Sequence, residues 1–348
     1  MITNNNKAGA MNLNKQISFG RKILLLLTLL VACCVFLSSC GKKTQKVYRV
    51  GIVSGAEPFA DIADGFKTKM TELGYVEGKN IIYDFQKLTA DPLGEKRVAE
   101  KFVADKVDLI FAFPTEPAVA AKAATAGTNI PVVFAMAGVE GDNLVESIHK
   151  PGGHITGVRF PGPELTVKRL EILHELVPNA KRVYLIYDPH YPNAPMALGG
   201  LRPAASSLGL TLVEDPVNNV QEMQAALQAR AALDDIGIDA ILLMPDILDH
   251  SPDGFGAILK FADEHKVPIG GGMDFTADLG AMFSFVPDNV VQGRMAAPLA
   301  DKIFKGIPAG SIMVLTPPSR LRLNYKVIKE LGLEVSEGLL SSANEIIR

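Results

Sequence analysis

The sequence predicts an α/β protein made of two similar lobes, each a parallel sheet covered by helices. Three observations carry this expectation: short β-branched runs alternate with amphipathic segments, the alternation restarts near residue 182, and the second half echoes the first locally. Near-continuous apolar strands joined by helices suit a parallel sheet, because both faces of such a sheet are buried. The roughly 300 residues from Tyr48 onward are also more than one core usually holds.

In the first half, strands are expected at 48–54 (YRVGIVS), 80–86 (NIIYDFQ), 107–113 (VDLIFAF) and 131–137 (PVVFAMA), with helices over 58–73, 91–106 and 115–126 between them. In the second half, strands are expected at 182–188 (RVYLIYD), 210–217 (LTLVEDPV), 239–246 (DAILLMPD) and 267–271 (VPIGG), separated by helices near 193–208, 220–233 and 255–265. The echoes are direct: "DKVDLIFAFP" is answered by "IGIDAILLMPD", and "TNIPVVFAMA" by "HKVPIGGGMD". Asp91-Pro92 reads as an N-cap with proline in the first turn, and Gly74, Gly209 and Gly306 stand where helices should stop.

Composition narrows the function. A formal charge of −3 with no basic stripe leaves no electrostatic footprint for nucleic acid. The chain has no G-x-S-x-G elbow, no P-loop and no dinucleotide fingerprint; Gly270-Gly271-Gly272 suits close backbone approach at a cleft instead. The six histidines show no i,i+4 pairing and no cysteine partners, so neither a metal nor a cofactor is expected. A lipid-anchored hydrolase is therefore the weaker of the two broad readings, and a binding protein the stronger.

All three cysteines, Cys33, Cys34 and Cys40, lie near the N-terminus, so the domain that follows does not depend on disulfides. Lys7, Lys15, Arg21 and Lys22 precede an apolar run over 23–37 too short to span a bilayer comfortably, which is signal-peptide grammar. The run ends in Leu37-Ser38-Ser39-Cys40-Gly41, which resembles the lipobox of bacterial lipoproteins. That resemblance implies cleavage before Cys40 and a diacylglycerol on its sulfur, with 1–40 as signal peptide and the polar stretch 41–47 as tether. It places the working domain outside the cytoplasm, tied to a bacterial membrane.

Along the whole chain from about Tyr48, the motifs "GIVSGAEP", "ELGYVEGKNIIYDFQ", "VADKVDLIFAFPTEPAVAA", "IPVVFAMAG", "KPGGHITGV", "LEILHELVP" and "QGRMAAPLADKIFKGIPAG" resemble the substrate-binding lipoproteins of ABC transporters. The branch they match has a type I periplasmic-binding fold and members that bind aromatic amino acids. The resemblance implies two Rossmann-like lobes joined by three hinge crossings, placed here near 158–162, 285–288 and 310–314. Lobe 1 would comprise 48–158 plus 288–311, and lobe 2 would comprise 159–287 plus 312–348. It also implies a small-molecule ligand caught by lobe closure, an ABC permease with its ATPase as partners, and a protein expected to be a monomer. Delivery to a membrane sensor instead of a permease is an alternative that the sequence leaves open. Sugar-responsive repressors share the fold, but a helix-turn-helix stands where this chain has a lipobox.

Open parallel sheets bind ligands at the carboxyl ends of their strands. Counting strand ends gives Ser54, Glu57 and Phe59, then Phe113, Thr115 and Glu116, then Met136 from the first half. The second half adds Tyr187, Asp246 and Asp274. Phe113 reads equally as core, and Thr115 as a helix N-cap. Asp246 either caps the next helix or binds ligand; in the family the matching position is also an aspartate near the ligand. Arg159 departs from the family pattern, in which a small polar residue follows "TGV". It either pairs with Glu164 or reaches a ligand carboxylate. The bet is a small zwitterion, with its ammonium at Asp246 and Asp274, its carboxylate at Arg159 or the helix after Phe113, and its side chain near Phe59 and Phe113.

Overall fold

A computed structural model describes residues 46–348 apart from 56, 89–90, 140–142 and 192. The expected signal peptide, the lipidation site Cys40 and most of the tether lie outside the described residues. Tyr48–Arg348 form one compact unit. Among the described residues no helix is long and apolar enough to cross a membrane.

Lobe 1 runs β1 (Tyr48–Ser54), α1 (Asp61–Glu72), β2 (Ile81–Lys87), α2 (Pro92–Ala104), β3 (Leu109–Phe113), α3 (Thr115–Ala124), β4 (Val132–Ala137) and β5 (Ile155–Arg159). Its parallel sheet has the order β2-β1-β3-β4-β5. Lobe 2 follows with α4 (Gly162–Leu176), β6 (Arg182–Tyr187), α5 (Asn193–Ser207), β7 (Thr211–Pro216), α6 (Val220–Ala231), β8 (Ala240–Leu242), α7 (Pro252–His265), β9 (Ile269–Gly270), α8 (Asp274–Leu279) and β10 (Phe283–Pro287). Its parallel sheet has the order β7-β6-β8-β9. Each lobe thus winds outward from its first strand in both directions, and the strand order repeats as the echoes in the sequence require.

After β10 the chain returns to lobe 1 as α9 (Asn289–Phe304), then adds β11 (Ser319–Asn324), α10 (Tyr325–Glu330), α11 (Glu337–Ser342) and β12 (Glu345–Ile347). β11 pairs antiparallel with β10 and parallel with β12, so the tail extends lobe 2. The helix α9 sits on α1 with almost no gap: a Cβ on Gly65 would stand 2.1 Å from the Val290 carbonyl oxygen, and one on Gly293 1.9 Å from that of Ile62. Only glycine permits backbone contact of this kind.

Each sheet is buried on both faces. On β3, Leu109, Phe111 and Phe113 enter one core cluster with α1 and α9, while Ile110 and Ala112 enter the other with α2 and α3. This is the period-2 alternation of a strand with helices on both sides. Local signals fall where the sequence puts them: Asp91 caps α2 by accepting from the Gly94 N–H at 2.8 Å, and Gly74, Gly209 and Gly306 end helices with φ of +95°, +68° and +94°.

The chain passes between the sheets at Phe160-Pro161, at the end of β10, and after Leu315. The last position corrects the expected crossing at 310–314 and the assignment of 312–315 to lobe 2. Val314 and Leu315 donate to the Ile148 and Gly157 carbonyls, and Arg159 donates back to Leu315. The free edge of β5 takes this short segment as an additional strand, which holds it in lobe 1.

Candidate ligand-binding cleft

The carboxyl ends of the two sheets face each other, and the lobes touch there. A Cβ on Gly138, in the loop after β4, would stand 2.7 Å from Asn193 Oδ1 at the start of α5. Met273, after β9, packs against the apolar cluster of lobe 1. Gly271 and Gly272 precede Met273 with φ of +79° and +112°, conformations that a side chain would strain, and pack against Arg169, Thr276 and Leu243 within lobe 2.

Between the lobes lies a cavity of about 560 Å³. Phe59 and Asp61 reach it from lobe 1; Phe255, Met273 and Phe275 give it apolar walls from lobe 2. Its polar lining includes Asp274, Asp278, Asp288, His250 and Arg320. Arg320 pairs with Asp274 at 2.6 Å and with Asp288 at 3.3 Å, so one guanidinium links the hinge to lobe 2. Asp274 also accepts from the Ser284 hydroxyl at 2.9 Å, and Asp288 caps α9. Burial pushes the Asp61 carboxyl up, a hydrogen bond from Asn289 opposes this, and the charges of Asp288 and Asp64 add to it. The cavity therefore combines aromatic surface with a rim of carboxylates, of which Asp274 and Asp288 pair with Arg320 and Asp278 with Arg322.

Behind the wall of lobe 2 stands a buried charged network. Asp246 is 4% exposed and accepts from the N–H groups of Asp188, Leu248 and Asp249 at 3.1, 2.8 and 3.2 Å. Burial, then the charge of Asp249, pushes its carboxyl up to about 8 against those hydrogen bonds. Asp249 is fully buried, with Oδ2 accepting the Met244 N–H at 2.6 Å. Arg169 is buried against the glycine loop and donates to the Phe285 and Gly272 carbonyls at 3.0 Å each. Burial lowers its guanidinium to about 10, opposed by Asp249 and Asp274, so it stays charged at neutral pH.

The residues selected from strand ends divide accordingly. Phe59 and Asp274 line the cavity. Ser54, Phe113 and Met136 are buried at the carboxyl edge of the first sheet, Phe113 beside Phe111 in the core and Met136 with φ +51°. Asp246 has both oxygens engaged by backbone and ties the ends of β6 and β8 together. Thr115 is the first residue of α3 and not its N-cap, which is Pro114; its hydroxyl accepts the Gly138 N–H at 3.0 Å. Glu57 is exposed and pairs with Lys87 at 3.5 Å.

Tyr187 turns its hydroxyl to Glu214 at 2.9 Å on the neighbouring strand and packs in the lobe 2 core. Arg159 bonds Glu164 at 2.5 Å and Thr316 at 2.9 Å, in the hinge. Glu116 and Thr115 line a separate groove of about 480 Å³ between α2 and α3. There the buried Glu95 is pushed up to about 7 by burial, then by Glu116 and Asp91. That groove belongs to one lobe, so closure does not form it. Strand-end counting missed Asp61, His250, Asp288 and Arg320. The signal for Asp288 was its N-cap position in "VPDN", and for His250 its place four residues after Asp246.

Two lobes with doubly wound sheets, a hinge of three strands and a mixed cavity between them define a solute-binding protein. Residues 50–347 match the model of the ABC transporter substrate binding protein family, and the chain belongs to that family. Its relatives are substrate-binding proteins and not enzymes. It is 30% identical over 300 residues, 84% of each chain, to the tyrosine-binding protein of Clostridioides difficile (strain R20291).

Among solved structures it is similar to a conserved domain protein from Vibrio cholerae, with TM-score 0.77 and 26% identity over 86% of this chain and 100% of that one. It is also similar to the ligand-free, open structure of a substrate-binding protein with adhesive properties from Clostridium difficile, with TM-score 0.69 and 26% identity over 86% and 99%. The fold is shared with an ABC domain in complex with L-Trp from Streptococcus pneumonia, with TM-score 0.77 and 23% identity over 87% and 100%.

Proposed function

We propose that this protein is an extracytoplasmic solute-binding lipoprotein that captures an amino acid by lobe closure and delivers it to an ABC permease. The cavity between the lobes carries the reading: aromatic walls from both lobes receive an apolar side chain, while the carboxylate-rich rim receives an ammonium group. The tyrosine-binding relative supports the same ligand class. Phe59 and Asp274 are the strand-end residues assigned to ligand contact; Asp61 and His250 join them. Each lobe supplies part of the surface, so ligand contacts are complete only when the lobes meet, and binding shifts an open–closed equilibrium.

A thermal-shift screen of the chain from Gly41 onward against amino acids, nucleosides and small carboxylates tests the ligand class. A ligand at a hundred times its dissociation constant adds about 2.7 kcal/mol of stability. Stabilisation by aromatic amino acids is the expected result; stabilisation by nucleosides or carboxylates alone would contradict it.

Cys40 is the proposed anchor, its acyl chains contributing about 0.8 kcal/mol per buried methylene. Metabolic labelling with a fatty acid is expected to mark the protein, and Cys40→Ala to abolish the mark. A labelled, membrane-bound Ala variant would remove the anchor.

A further inference from the structure

His250 occupies a place on the cavity wall that closure alone does not explain. Its Nδ1 lies 2.8 Å from the Asp246 carbonyl oxygen and 2.7 Å from Asp249 Oδ1. A carbonyl oxygen only accepts, so the ring nitrogen that faces it, Nδ1, carries the proton. In the neutral imidazole this leaves Nε2 with a free lone pair. Nε2 is buried and has no hydrogen-bond partner among the described residues, while His250 lines the cavity with its ring edge-on to Phe275, centroids 6.2 Å apart. The ring cannot turn over without cost, because flipping it would replace the Nδ1–H that faces two acceptors with the much weaker donor Cδ2–H. Asp249 is itself held by the Met244 N–H, so the imidazole is braced from behind. An acceptor fixed in orientation, buried and without a partner among the described residues calls for a donor from the ligand.

Resting on the amino-acid reading above, we propose that His250 Nε2 accepts a hydrogen bond from the ligand's side chain. His250 thereby selects aromatic ligands that carry a donor, such as a phenol hydroxyl, over purely hydrocarbon ones. Phe255 and Phe275 supply contact that both kinds of ligand share, and His250 supplies the difference.

Isothermal titration with L-tyrosine and L-phenylalanine, which differ by one hydroxyl, tests this in the full-length protein and in His250→Phe and His250→Gln. Wild type is expected to prefer tyrosine by about fivefold to tenfold, the factor that one hydrogen bond supplies. His250→Phe is expected to lose that preference, tyrosine affinity falling about fivefold to tenfold further than phenylalanine affinity, and His250→Gln, whose amide oxygen accepts, to retain part of it. Equal losses for both ligands would make His250 a packing residue and overturn the proposal, as would an unchanged preference. If wild type binds neither ligand, the amino-acid reading fails and this inference with it; if it binds both without regard to His250, only the inference fails. Should His250→Phe not fold, the ¹⁵N resonance of wild-type Nε2 decides. It is expected to shift with tyrosine and not with phenylalanine, and equal shifts would overturn the assignment.

Discussion

The two lobes share a strand order but present different materials at their carboxyl ends. Lobe 1 presents a carboxyl edge of buried apolar residues, Phe113 and Met136 among them, on a sheet braced by the backbone-to-backbone contact of α1 and α9. Lobe 2 presents a glycine loop and a buried network of Arg169, Asp246, Asp249 and His250. Its strands β8 and β9 are short, and side-chain carboxylates complete what the ladder leaves unpaired: Asp246 takes three backbone N–H groups and Asp249 a fourth. Lobe 1 brings Phe59 and Asp61 to the cavity, while lobe 2 brings both its larger apolar wall, Phe255, Met273 and Phe275, and the ring of His250.

The largest effect is expected where the polar network of lobe 2 is cut. Arg169→Met leaves two buried carbonyls and Asp249 without their cation, and should destabilise the protein by about 3 kcal/mol, as breaking a buried charge pairing does. The urea-unfolding midpoint reads this. A change within about 0.5 kcal/mol, typical of an indifferent surface site, would show that lobe 2 does not depend on the network.

A smaller and more selective effect is expected at the contact between the lobes. Gly138→Val places methyl groups against Asn193 and keeps the lobes apart, so ligand affinity should fall about tenfold or more, a cost of about 1.4 kcal/mol. The unfolding midpoint should hardly move, since neither core is touched. Equal losses of stability and affinity would make Gly138 a folding residue.

The smallest effect separates the lobes by pH. Asp246 in lobe 2 and Glu95 in lobe 1 both titrate above their unfolded values, at about 8 and about 7. Their contributions to stability are therefore full below the unfolded pKa near 4 and are lost as pH rises through those values. The thermal midpoint should fall by a few degrees between pH 6 and pH 9. Glu95→Gln should lessen the fall below about pH 7 and leave the fall between about pH 7 and pH 8, which belongs to Asp246 alone. A midpoint that rises over this range, or a Gln variant with an unchanged profile, would contradict the assignment.

How much of this was legible in the sequence follows from where each signal resides. Strands and helices are local: β-branched runs, the Asp91-Pro92 cap and the terminating glycines are short-range features, and they placed nearly every element of the two sheets. The third crossing was not local. Residues 312–315 join lobe 1 because the edge of β5 is free, and nothing within those residues records that. The cleft was legible at the level of strand ends and not of side chains. Tyr187 stands at a strand end, but Glu214 on the neighbouring strand draws its hydroxyl away. His250 and Arg320 become cavity residues only once α7, β10 and β11 pack together. Asp246 carried the right signal, a carboxylate after an apolar strand, yet three backbone donors engage it first.

Small-angle scattering with and without saturating L-tyrosine, on wild type and Gly138→Val, tests closure most directly. The account predicts that wild type contracts on binding and that the variant stays extended at ligand concentrations that saturate wild type. An unchanged wild-type profile, with titration showing the ligand bound, would contradict it.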